Sequence, residues 1–119
     1  MLPLALARLR YAGLPTPRHL VAADDVEQGK PDPACYLHAA EIVGRAPSEC
    51  IVIEDTPAGI AAAHAAAICA VAVASTHPPD VLRGANYRVA SLTDTRLRVI
   101  DPTGKTTKLE LELDPVGDR

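Results

Sequence analysis

A chain of 119 residues, 48% hydrophobic and 23% charged, has the composition of one globular domain rather than a disordered or fibrous segment. Its formal net charge of −3 gives no electrostatic basis for binding nucleic acid or an anionic membrane. Aromatic residues make up only 3%, all of them tyrosine, so the core must be built from Ala, Val, Leu and Ile, in thin layers with close helix-to-sheet packing.

Residues 3–12, with Leu2 just before them, place Leu2, Leu6 and Leu9 on one stripe with Arg8 and Arg10 off it, which predicts an amphipathic helix stopped by Gly13. Pro15 and Pro17 make the next stretch a connector. His19–Ala23 reads as a short strand ending in Asp24 and Asp25, whose carboxylates are expected to be solvated. Residues 27–33, EQGKPDP, form a proline-stiffened loop. A second helix over 33–44 presents Tyr36, Ala39, Ala40 and Val43 on one face and ends at Gly44, followed by a turn over 47–49.

Cys50–Ile53 is a continuous apolar run, the pattern of a strand covered on both faces. Thr56 is suited to an N-cap and Pro57 to the first helical position of a helix running to about Ala67. Residues 69–74, CAVAVA, read as the next buried strand. A short helix near Asp80–Gly84 and a small strand over Tyr87–Ala90 follow. Strand–helix–strand–helix–strand order predicts an α/β fold, a three-layer Rossmann-like parallel sheet with flanking helices. Over 96–113 apolar and polar residues alternate around the turn-forming DPTGK, which predicts a β-hairpin.

Met1 leads straight into the amphipathic segment, without the basic and long apolar regions of a secretory leader. No apolar run approaches the ~20 residues of a membrane span. Cys35, Cys50 and Cys69 lack metal or redox spacing and read as free thiols of a reducing, cytoplasmic compartment. His19, His38, His64 and His77 are scattered, and only His77 follows a strand end near the crevice.

Three features converge on one sheet edge. Lys30 sits in the loop after the first predicted strand. Glu54 and Asp55 end the central strand, and Thr56-Pro57-Ala58-Gly59 opens a helix toward the same crevice. Two carboxylates suit a hard divalent cation such as Mg²⁺, and a lysine suits phosphate or carboxylate. Together they are the equipment of phosphoryl transfer.

GKPDPACYLHAAEIVG followed by IVIEDTPAGIAAAHAA resembles the third and fourth motifs of the haloacid dehalogenase superfamily, in the branch of small sugar-phosphate phosphatases and β-phosphoglucomutase-like enzymes. The resemblance covers roughly Leu4 to Val99. It implies that Lys30 is catalytic, stabilising phosphate and the nucleophilic carboxylate, and that Asp55, with Glu54 beside it, binds Mg²⁺. It also implies an Asp-x-Asp nucleophile motif, a Ser/Thr motif and a substrate-selecting cap, all preceding the lysine. No Asp-x-Asp occurs in this sequence.

The resemblance therefore implies the C-terminal part of a core domain over 1–95, a hairpin extension over 96–114 and a frayed tail over 115–119. The function expected is that of a Mg²⁺-dependent phosphatase of small sugar or polyol phosphates, inactive as this chain alone. The alternative is a non-catalytic module, self-associating through an uncovered core surface, or a decayed remnant. Asp101 superficially matches an Asp-x-Thr-Gly nucleophile, but Asp-Pro and Gly read better as a hairpin turn. Gly104-Lys105-Thr106 fails as a phosphate loop because position 99 is Val, not Gly. Family members usually carry Gly where Ala67 stands, so the helix there is expected to end differently.

Overall fold

The structure, a computed structural model, describes residues 4–99 and 109–113. Helix α1 (Leu4–Tyr11) is closed by Gly13 at φ 70°, a left-handed conformation that glycine adopts without a side-chain clash. Helix α2 (Ala34–Val43) starts where Asp32 Oδ1 accepts from Ala34 N at 2.9 Å, and it ends at left-handed Gly44. There Gly44 N donates to Glu41 O at 3.0 Å and Arg45 N to Ala40 O at 3.1 Å, which satisfies the last carbonyls.

Strands β1 (Ile51–Glu54), β2 (Cys69–Val73) and β3 (Tyr87–Val89) form one parallel sheet in the order β1-β2-β3. Helix α3 (Pro57–Ala65) makes the crossover from β1 to β2. Register pairs Val52 with Ala70 and Glu54 with Ala72, so these four side chains share a face. That face packs on α3: Val52, Ile60, Ala63, Ala66, Ile68, Ala70, Ala72 and Leu82 form one core, with Tyr36 of α2 against it. Ala63, Ala70 and Ala72 are fully buried, so small side chains line the contact between helix and sheet.

The opposite face carries Val71, Val73 and Val89, covered by Leu111 and Leu113. These leucines come from β5 (Leu109–Leu113), which pairs antiparallel with β4 (Thr95–Val99) in a separate two-stranded sheet. The predicted hairpin is therefore present, and its register sets Arg98 opposite Glu110 in an exposed ion pair. Asp101 and Gly104-Lys105-Thr106, with the tail over 115–119, lie outside the described residues.

Three expectations are corrected. His19–Ala23 is not a strand: the segment is irregular and enters a 3₁₀ turn at Ala23–Asp25. Asp25 Oδ2 accepts from Ala22 N at 2.7 Å, and Asp25 N donates to Ala22 O at 3.0 Å, so turn bonding takes the backbone groups a strand would need. The region near Asp80 is a 3₁₀ turn, Pro79–Leu82, rather than an α-helix. Lastly, β1 is not covered on both faces. Val52 and Glu54 are buried, but Ile51 and Ile53 are 51% and 46% exposed, because the hairpin leucines pack on β2 and β3 instead.

Ala67 also departs from expectation. Helix α3 ends as the family pattern would have it, with Ala67 itself in the left-handed region at φ 59°. Ala67 N donates to His64 O at 2.9 Å and Ile68 N to Ala63 O at 2.9 Å, so the turn is fixed by backbone bonds despite its alanine.

Candidate functional site

β1 delivers Glu54 and Asp55 to the C-terminal edge of the sheet, and pleating sends their side chains opposite ways. Glu54 turns toward α3 and is 8% exposed. Its Oε1 lies 2.9 Å from Lys30 Nζ, and its Oε2 accepts from Thr56 Oγ1 at 3.1 Å. Thr56 in turn accepts from Gly59 N at 3.0 Å, as the N-cap predicted from sequence. The buried carboxylate thus rests at the positive end of α3 with both oxygens engaged, an arrangement that offsets its desolvation.

Gly59 makes this possible. A β-carbon at that position would lie 1.4 Å from Glu54 Oε2 and 2.5 Å from Glu54 Cγ. The glycine serves close approach, and a Gly three residues after the cap was its only sequence signal.

Lys30 reaches Glu54 from a loop whose Lys30–Pro31 peptide is cis. Its ammonium also stands over the Tyr36 ring, 5.2 Å from the centroid. Burial works against the Lys30 charge, but the bond to Glu54 and the Tyr36 neighbour outweigh it, so its pKa is raised above 10.5. Burial, reinforced by the Glu54 charge and opposed by Lys30, pushes the Tyr36 phenol up from 10.0 to about 12. Both groups hold protons more tightly folded than unfolded. Their contribution to stability is therefore complete below pH 10 and falls as pH rises toward 12. NMR titration of the Tyr36 ring carbon is expected to give a midpoint near 12, and a midpoint at 10.0 would contradict this packing.

Asp55 is half-buried on the other side of the chain. Its Oδ2 accepts from Thr76 Oγ1 at 2.9 Å, and its main-chain oxygen lies 3.0 Å from His77 Nδ1. A carbonyl only accepts, so His77 carries its proton on Nδ1. That nitrogen is also 3.0 Å from Thr76 Oγ1. Among the described residues, Asp55 Oδ1 accepts no hydrogen bond, and no three His, Cys, Asp or Glu side chains converge as a ready-made metal cluster.

The structure therefore brings Lys30 onto Glu54, whereas Asp55, next in sequence, faces away and engages Thr76 and His77. Asp24 and Asp25 are exposed, and Asp25 spends one oxygen on its own turn. His64 is on the helix surface, 3.1 Å from Asn86 Oδ1. Sequence reading missed Thr76 and the Tyr36 contact, since neither belongs to a spaced pattern. A groove of about 310 Å³ adjoins Lys30, between His19, Val21 and the Tyr36–Val43 side of α2.

A profile of the haloacid dehalogenase-like hydrolases matches residues 3–67, more than half of the chain. The chain belongs to this family. As a haloacid dehalogenase-like hydrolase it falls in the sugar-phosphatase and β-phosphoglucomutase branch. It is 47% identical over 72 residues to hexitol phosphatase A of Escherichia coli (strain K12), covering 60% of this chain and 33% of that one. It is 43% identical over 84 residues to validoxylamine A 7′-phosphate phosphatase of Streptomyces hygroscopicus subsp. limoneus, covering 71% and 39%. Among solved structures, a β-phosphoglucomutase from Clostridium difficile superposes with TM-score 0.66 at 31% identity, over 73% of this chain and 38% of that one. The chain thus spans between a third and two-fifths of the two curated relatives, and its sheet is part of a haloacid dehalogenase core.

Proposed function

We propose that this chain carries the lysine and acidic part of a Mg²⁺-dependent phosphatase site for small sugar or polyol phosphates. In this reading polypeptide outside these 119 residues supplies the nucleophilic carboxylate. The observation that carries it is the 2.9 Å pair between Lys30 Nζ and buried Glu54 Oε1, beside Asp55 at the end of β1. A lysine and a carboxylate 24 residues apart meet where a parallel sheet places its ligands, with a second carboxylate, Asp55, next in sequence. The relatives named for phosphate-ester substrates support the substrate class.

The donor set fits a hard cation. Mg²⁺ takes one or two carboxylates and keeps several waters, and Asp55 offers an oxygen that is uncommitted among the described residues. Asp55 is the ligand in this reading, while Glu54, with both oxygens engaged, holds Lys30 in place. When bound there, the cation supplies charge neutralisation to the phosphoryl oxygens. Lys30, 40% exposed along its side chain, is steered by Glu54 and Tyr36 and donates to phosphate from the crevice. Residues 1–95 form the core portion in this reading, and 96–114 an added hairpin that covers the sheet. A reducing cytoplasm accords with three free cysteines, and no helix among the described residues is long and apolar enough to cross a membrane.

The 119-residue chain alone is expected to leave p-nitrophenyl phosphate intact. Joined behind the part of hexitol phosphatase A that precedes its matched region, it is expected to give Mg²⁺-dependent hydrolysis of hexitol phosphates. Lys30→Ala or Asp55→Ala should each lower that rate at least about 100-fold, as loss of one charge-stabilising group does. A folded, active chimera indifferent to both substitutions overturns the assignment.

A second reading, a non-catalytic module that pairs with another copy of itself, is favoured by one observation. Ile51 and Ile53 are exposed on β1, the edge of the three-stranded sheet among the described residues. Sedimentation at micromolar concentration distinguishes them, since a clean monomer excludes the self-associating module.

A further inference from the structure

We propose that Thr76 is a positioning residue for Asp55: its hydroxyl holds the carboxylate in one orientation and leaves Oδ1 presented for the cation. This rests on the reading of Asp55 as the cation ligand.

The geometry behind it is a clamp between two strand ends. Asp55 directly follows β1, whereas Thr76 and His77 lie in the loop after β2, 21 and 22 positions further on. Thr76 Oγ1 is 2.9 Å from Asp55 Oδ2 and 3.3 Å from Asp55 O. A hydroxyl has one proton to give, and the shorter, charged acceptor takes it. His77 Nδ1–H meets the Asp55 carbonyl at 3.0 Å and lies 3.0 Å from Thr76 Oγ1. Backbone and side chain of Asp55 are thus held by two consecutive residues of one loop.

A free aspartate at a half-exposed strand end samples several χ1 and χ2 settings, and a cation must first select one. The Thr76 bond makes that selection beforehand and adds no charge of its own. It occupies Oδ2 only, so among the described residues Oδ1 stays uncommitted. Hydrogen-bonded partners of metal-ligating carboxylates act in this way, and losing one costs about tenfold or more in metal affinity. A purely structural threonine would behave differently: its removal would alter folding stability and leave cation affinity of the folded chain unchanged.

The test compares the wild-type chain with Thr76→Val, Thr76→Ser and Asp55→Asn. Valine keeps the shape and removes the hydroxyl, and serine keeps the hydroxyl. Two quantities are read in each: Mn²⁺ affinity from water-proton relaxation, and the Asp55 Hα–Hβ couplings in metal-free solution. Two distinct couplings of a single rotamer are expected for wild type and Thr76→Ser, with averaged couplings for Thr76→Val. Mn²⁺ binding should weaken about tenfold in Thr76→Val and recover in Thr76→Ser. Averaged couplings in the wild type overturn the inference, as does Thr76→Val with wild-type couplings, or with wild-type Mn²⁺ affinity where Asp55→Asn has lost it. Equal binding by wild type and Asp55→Asn overturns the cation reading of Asp55 itself, a result separable from the couplings.

Discussion

Replacing Gly59 with alanine is expected to destabilise the chain by about 3 kcal/mol, although alanine is the better helix former by about 1 kcal/mol. The added carbon would sit 1.4 Å from Glu54 Oε2, 1.9 Å from Cδ and 2.5 Å from Cγ. No small rotation of the carboxylate relieves contacts along that much of the side chain, so Glu54 must leave its place. It then loses its bonds to Lys30 and Thr56, each a charge-assisted bond of about 1.5–3 kcal/mol. Urea unfolding followed by circular dichroism gives the value. The cause is tested by repeating Gly59→Ala in a Glu54→Ala background. With the carboxylate gone, the second substitution should cost far less, and a strictly additive result would rule out the clash.

Ala67→Gly should act in the opposite direction, stabilising by about 1 kcal/mol. Ala67 is exposed, so its methyl group gives up little packing, and its φ of 59° is one that L-residues adopt at a cost. The glycine loses more entropy on folding, which trims the gain without reversing it. A higher urea midpoint at unchanged slope is the expected reading. A midpoint that stays put would mean that α3 does not end on a left-handed alanine in solution.

Elements with local chemistry were legible in the sequence. Thr56-Pro57 announced the start of α3, Gly13 and Gly44 announced two helix ends, and the alternation around residues 96–113 announced the hairpin. The Lys30–Glu54 pair was legible because motif spacing ties the two to one sheet edge. What escaped depended on partners distant in sequence. HLVAA has a strand's composition, yet Asp25 turns the backbone back on Ala22. CIVI looks apolar throughout, but whether Ile51 and Ile53 are covered depends on where the hairpin lands. Thr76 reads as an ordinary loop residue until the fold carries it to Asp55. Ala67 shows the converse, a sequence departure that the backbone absorbs through its own hydrogen bonds.

The alanines between α3 and the sheet bear on how such a sequence can change over generations. Ala63, Ala70 and Ala72 are each 0% exposed within one core. In a close-packed core, a single enlargement at any of the three forces its neighbours to shift. Drift there is confined to the smallest side chains, and a bulkier layer is reachable only if several positions change together and the helix lifts as a body. The same restriction keeps the ends of β1 and β2 at a fixed spacing, and so preserves the geometry of Asp55 and Thr76 even where the surface around them varies freely.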